Sequence, residues 1–190
     1  MEASDLSLIY YEEPGKAEFI DGVEYAMGAG SIKHAEIITN LMKILHASFD
    51  QKACIPYTSE LEICLDESTF RPDISIICDF TKAMGNVYKG APTLVIEVLS
   101  PSTAYMDYGK KFNYYQRHGV KEYWIINPDY QTIEQYALED RKYKLLAVFL
   151  NTSIHEFNPD NPHVYTTSFQ SFVFKDLYIN LDEVFHFRMG

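Results

Sequence analysis

Positive charge is what this sequence lacks most: 16 Lys and Arg stand against 27 Asp and Glu, a formal net charge of −11 over 190 residues. A broad basic groove of the kind that neutralises nucleic-acid phosphates is thereby excluded, because such a groove is built from Lys and Arg. Long apolar runs are missing as well. None approaches the roughly 20 residues of a membrane-spanning helix, so no membrane partner is expected. The opening MEASDLSLIYYEEPG is acidic, which fits neither a secretory signal nor a transit peptide. Cysteine is scarce: Cys54, Cys64 and Cys78 are odd in number and form no CxxC pair, so a zinc site has no support. Their setting predicts small buried thiols in a reducing cytoplasm. Repeats, low-complexity segments and linkers are absent, and the length suits one domain over 1–190.

What is present is apolar and aromatic. The chain is 47% hydrophobic and 15% aromatic, too apolar to stay unfolded, and its 15 Tyr and 12 Phe suit strands. Asp21-Gly22 between Ala17–Ile20 and Val23–Met27 signals a hairpin with a type I′ turn. Ser31 can cap a helix running to about Ser48, with Ile37, Ile38, Leu41, Ile44, Leu45 and Phe49 on one stripe. Strand-like runs follow at Leu61–Leu65, Asp73–Cys78 and Thr93–Leu99, the last reading as a central strand buried on both faces. Ser100 to Thr103 breaks that strand and opens a helix over about Ala104 to Arg117, which stops at Gly119. Further strands are expected at Lys121–Ile126, Thr132–Leu138, Tyr143–Leu150 and within His163–Phe174, with a short amphipathic segment at Leu181–Phe187. The sum is an α/β or α+β fold: a mixed sheet with one early helix and one after the central strand.

Three charged residues stand out against that apolar background: Asp73 after Arg71-Pro72, Glu97 within LVIEVL, and Lys111 on the following helix. An unpaired carboxylate in an apolar strand costs several kcal/mol, on a rough scale, unless something compensates it. If the strands carrying Asp73 and Glu97 are neighbours, both carboxylates converge at one sheet edge. With a backbone carbonyl and water they make an oxygen-only shell of the kind Mg²⁺ or Mn²⁺ accepts. Lys111 would orient or help deprotonate an attacking water. The bland alternative makes Lys111 and Asp107, four residues apart, a surface ion pair worth about 0.3–0.5 kcal/mol. Tyr114, Tyr115 and Trp124 are expected in the core, with base stacking by either Tyr as the other option.

The order Pro-Asp, Glu-Val-Leu, lysine resembles the PD-(D/E)XK nuclease superfamily, whose fold is restriction-endonuclease-like. More closely, the chain resembles the Uma-two family, a group of bacterial proteins taken to be endonucleases. The matching stretches include AEFIDGVEYAM, His34, RPDISIICD, TLVIEVLSPSTAYMDYGKKFNYY, GVKEYWIINPD and SFVFKDLYINLDEVF, from about Ala17 to Phe185. The resemblance implies an αβββαβ core with added N- and C-terminal strands, and Asp73 and Glu97 as metal ligands. Two residues beyond Glu97 the superfamily usually carries lysine; this chain has Leu99. The resemblance shifts that role to Lys111 on the helix, with Lys110 as the alternative, and marks Glu18 and His34 as further site residues.

The function expected is metal-dependent hydrolysis of phosphodiester bonds in DNA, with Asp73, Glu97 and the Val98 carbonyl holding Mg²⁺ or Mn²⁺ and Lys111 catalytic. The net charge favours a rival: a catalytically idle scaffold that binds nucleic acid or a protein partner. A two-carboxylate glycosidase would leave Lys111 idle. A Tyr- and Phe-rich C-terminal ribbon leaves apolar edges that a homodimer would cover.

Overall fold

A computed structural model describes residues 16–28, 30–49, 53–151 and 167–188; the acidic N-terminal stretch and the beginning of the run from His163 lie outside them. Strands β1 (Ala17–Ile20) and β2 (Val23–Ala26) form the expected hairpin. Its turn residues, Asp21 and Gly22, have φ of 53° and 77°, the positive pair that a type I′ turn demands. Helix α1 (Ile32–Phe49) begins where the Ser31 hydroxyl accepts the His34 N–H at 3.2 Å, and it buries Ile37, Leu41, Leu45 and Phe49 along one stripe.

The chain then forms β3 (Ile55–Thr58), β4 (Glu62–Leu65), β5 (Ser68–Phe70), β6 (Ile74–Ile77), β7 (Ala83–Met84), β8 (Val87–Lys89) and β9 (Leu94–Val98). A helical segment follows: α2 (Ala104–Met106), a π-helical turn at Asp107–Lys111, and α3 (Phe112–His118). The remainder is β10 (Glu122–Asn127), β11 (Thr132–Glu139), β12 (Lys142–Leu150), the hairpin β13 (Ser168–Gln170) with β14 (Tyr178–Asn180), and α4 (Leu181–Val184).

Two six-stranded sheets take the place of the single mixed sheet expected. The central one runs β12-β11-β10-β9-β6-β3. The β9–β10 pair is parallel and is bridged by the α2–α3 segment, while the other pairs are antiparallel. Taking α1, β3, β6, β9, α2–α3 and β10 in chain order gives the αβββαβ core. The segments between β3 and β6 and between β6 and β9 join the first hairpin instead, as the sheet β2-β1-β5-β4-β8-β7. Strand patterning alone carries no signal for which sheet a short hairpin joins.

β9 is buried at every position, as a near-continuous apolar run predicts. Its alternating side chains serve two cores. Leu94, Ile96 and Val98 pack with α1, Trp124 and the C-terminal hairpin. Val95, one strand period from Glu97, faces Ile20, Phe70, Tyr88 and Tyr115 across the second sheet and the α2–α3 segment. Glu97 therefore points into the layer between the sheet and that helical segment.

Gly119, φ 86°, ends α3 in the left-handed conformation, and the Val120 N–H returns to the Tyr115 carbonyl at 3.0 Å. The helix expected to be uniform from Ala104 is not: residues 107–111 wind as a π turn. A correction also concerns cysteine. Cys54 and Cys78 form a disulfide, Cα–Cα 4.1 Å, and only Cys64 is free. The register pairing Ile55 with Ile77 sets residues 54 and 78 opposite each other one step farther out, which spacing in the sequence does not reveal. The expectation of a fully reduced thiol set, and the compartment inferred from it, loses that support.

Candidate active site

The site lies where β6 and β9 end together. Their register pairs Ile74 with Ile96, so Asp73 and Glu97 stand opposite each other one step beyond. Each carboxylate caps the other's strand: the Asp73 N–H donates to Glu97 Oε2 at 3.3 Å, and the Val98 N–H donates to Asp73 Oδ2 at 2.8 Å. Side chains thus close the ladder where backbone pairing stops.

Lys111 reaches this pair from the π turn. Its Nζ lies 3.2 Å from Glu97 Oε1, 3.1 Å from Glu18 Oε1 and 3.4 Å from Asp107 Oδ1. Glu18, on β1, also accepts the Arg71 N–H at 2.8 Å, which ties the first hairpin to the approach of Asp73. Tyr115 donates to Glu97 Oε1 at 2.9 Å. From the first turn of α1, His34 Nε2 lies 3.2 Å from Asp73 Oδ2. All five residues expected from the sequence, Asp73, Glu97, Lys111, Glu18 and His34, meet here. Lys110 does not: it is paired with Asp21 at 3.2 Å and sits over the Tyr25 ring.

Asp107 enters the sequence reading only as Lys111's partner in the bland surface-pair alternative. Far from forming a surface pair with Lys111, both are buried, at 2% and 5% exposure. The signal was available: residues four apart share a helix face, so an inward Lys111 carries Asp107 inward with it. Tyr115 is in the core, as the sequence leads one to expect; its hydroxyl bond to Glu97 has no sequence signature.

The electrostatics follow from four carboxylates around one ammonium. Burial raises the Glu97 carboxyl well above the ordinary range; Lys111 opposes this, while Asp107, Asp73 and Glu18 add to it. Burial likewise pushes Asp107 up to about 6 against the pull of Lys111. For Lys111 the balance reverses: burial disfavours its charge, but Glu97, Glu18, Asp107 and Asp73 outweigh burial and hold the ammonium well above its usual value. Burial also lowers His34, and its hydrogen bond and attraction to Asp73 overcome that and raise it.

These groups line a cavity of about 140 Å³ whose wall continues through Ser100, Ser102 and Thr103 and whose mouth carries Tyr25 and Tyr105. Among the described residues no group of three or more His, Cys, Asp or Glu side chains is arranged to hold a metal ion by itself. Asp73 and Glu97 supply two carboxylates, and a backbone carbonyl would have to supplement them. Two features of the site suit a hard divalent cation. Its donor set at Asp73 and Glu97 is all oxygen, and negative charge exceeds positive, with the buried Asp107 Oδ1 facing the Lys111 ammonium at 3.4 Å.

A family model described as "Putative restriction endonuclease", Uma2, matches residues 4–162. The chain belongs to the Uma2 family. Two Synechocystis proteins are similar to this Uma2 chain. The uncharacterised protein slr1290 is 33% identical over 128 residues, covering 66% of this chain and 67% of its own length. The uncharacterised protein sll1609 is 28% identical over 149 residues, covering 75% and 84%. Among solved structures, an Anabaena variabilis protein described as "a putative nuclease belonging to DUF820" superposes with a TM-score of 0.68 at 20% identity, over 92% of this chain and 93% of that one. At that identity the likeness concerns the fold, which is restriction-endonuclease-like.

Proposed function

We propose that this Uma2 protein is a nuclease that hydrolyses phosphodiester bonds in DNA with a divalent cation, Mg²⁺ or Mn²⁺, held by Asp73, Glu97 and the Val98 carbonyl. The observation that carries the reading is the mutual capping of Asp73 and Glu97 with the Lys111 ammonium seated on Glu97. Family membership and the description of the Anabaena fold relative support a nuclease-like activity. The cation would supply Lewis-acid shielding of the phosphate and a more acidic bound water.

The protein's own residues do the rest. Lys111 has three carboxylates for its three N–H donors, so it remains an ammonium and is not a base. It fixes the orientation of Glu97 and places positive charge beside the cavity, where charge develops on a phosphate under attack. Tyr115, four residues farther along the same helical segment, donates to the same Glu97 oxygen, and His34 holds Asp73.

The test pairs calorimetric titration with Mn²⁺ and a nicking assay on circular DNA, both single-stranded and duplex. Wild type is expected to bind the ion and nick DNA, and Asp73→Ala and Glu97→Ala to fold and lose both. A folded wild type with no Mn²⁺ affinity ends the hydrolytic reading. The net charge of −11 keeps one rival, an idle scaffold that binds nucleic acid or a protein. A gel shift without metal separates the two, since the scaffold must still bind.

A further inference from the structure

The cavity has an acidic floor and an aromatic mouth. Glu97, Asp107 and Lys111 at the floor are almost wholly buried, and the cavity that leads to them is also lined by Tyr25 and the exposed Tyr105. Tyr105 stands in the first turn of the α2–α3 segment, 66% exposed, while the adjoining Met106 is packed in the core. Its ring is thus presented on an anchored backbone, and among the described residues none stacks on it.

The cations near the cavity are already engaged. Lys111 holds three carboxylates, and Arg71 donates to Glu62 Oε2 at 2.8 Å and to the Ser59 carbonyl at 3.3 Å. Lys110, beside Tyr25, is paired with Asp21. A duplex presents one phosphate charge per roughly 1.7 Å of axis and requires a track of cations to be held. Its backbone is also fixed to the outside of a rod about 20 Å wide, with a persistence length of roughly 150 base pairs, and does not fold into a recess of this size. A single strand lowers both obstacles: it bends freely, it carries one phosphate charge per roughly 3.4 Å of length, and base stacking on an aromatic ring supplies part of its affinity.

We propose that the site takes single-stranded nucleic acid, with one base stacked on Tyr105 and the adjoining phosphate turned down toward Asp73 and Glu97. The inference rests on the nucleic-acid reading above and narrows it, since a restriction-type duplex substrate is the one this mouth suits least. Ser102, exposed on the same wall, offers a hydroxyl to the strand's phosphate or sugar oxygens, while the Thr103 hydroxyl is engaged with Ser100 and Asp107.

The test is fluorescence anisotropy of a short fluorescein-labelled oligodeoxynucleotide, alone and annealed to its complement, with Ca²⁺ replacing Mg²⁺ so that the strand stays intact. The single strand is expected to bind about tenfold tighter than the duplex, Tyr105→Ala to remove about tenfold of that affinity, and Tyr105→Phe to retain it. Equal or tighter duplex binding, no binding of either, or an unchanged affinity in Tyr105→Ala overturns the proposal. The two readings separate cleanly. Tyr105-dependent strand binding by a protein that binds no Mn²⁺ leaves this inference standing and removes hydrolysis. Mn²⁺-dependent nicking that prefers duplex does the reverse.

Discussion

A single ammonium, Lys111, keeps three buried carboxylates on three elements compatible with one another. Removing one member of a buried charge group typically costs about 3–5 kcal/mol, because the partners are left uncompensated. Lys111→Met should therefore lower the melting temperature sharply in metal-free buffer. If the freed carboxylates accept a cation, added Mn²⁺ should raise the variant's melting temperature by more than it raises wild type's. Equal shifts in a thermal melt would show that the cation does not draw on this cluster. Gly30 tests the other side of the site. A Cβ built there would lie 2.6 Å from His34 Nδ1 and 2.9 Å from its Cγ, so Gly30→Ala should displace the imidazole from Asp73. An unmoved His34 ring resonance in a ¹H–¹³C spectrum would refute that.

At the scale of elements, one device positions the site and another fastens the C-terminal segment. One is the π turn at Asp107–Lys111, which sets both side chains against Glu97; such turns recur at functional positions in helices. The other is Glu122 at the start of β10, fully buried. Its oxygens accept from Trp124 Nε1 and Gln135 Nε2, each at 2.7 Å, from the Ser171 hydroxyl at 2.6 Å, and from the Phe172 and Val173 N–H groups, each at 3.0 Å. It fastens the C-terminal segment to the central sheet. Glu122→Gln replaces an acceptor-only group with one whose amide must face donors. It should cost about 3 kcal/mol or more in urea denaturation and shift Trp124 fluorescence. A change below about 0.5 kcal/mol would mean that the segment is held by its apolar contacts alone.

Much of this scale was legible in the sequence. The Asp21-Gly22 turn, the Ser31 cap, the buried run of β9 and the Gly119 stop depend on local rules, and each stands where those rules put it. The convergence of Asp73 and Glu97 required only that their strands be neighbours. What was hidden is non-local or subtle in energy: the sheet that each short hairpin joins, the five-residue π turn, and the pairing of Cys54 with Cys78.

For the whole molecule, the deficit of positive charge now has a location. Part of it is the carboxylate floor of the cavity, and the two cations lining that cavity are committed to internal partners. The disulfide acts on the entire chain by constraining its unfolded state: a loop of this length is worth roughly 3 kcal/mol. Reducing agent should lower wild-type stability toward that of Cys54→Ser, and indifference to reductant in a urea melt would argue that the bond contributes nothing.

The central claim is that Asp73 and Glu97 together hold a divalent cation. Crystals soaked in Mn²⁺ and measured for anomalous scattering test it directly. The account predicts one strong peak bounded by the Asp73 and Glu97 carboxylates and the Val98 carbonyl, with Lys111 still on Glu97. A soaked crystal with no anomalous peak at that position, and both carboxylates bonded only to each other's backbone, would contradict it.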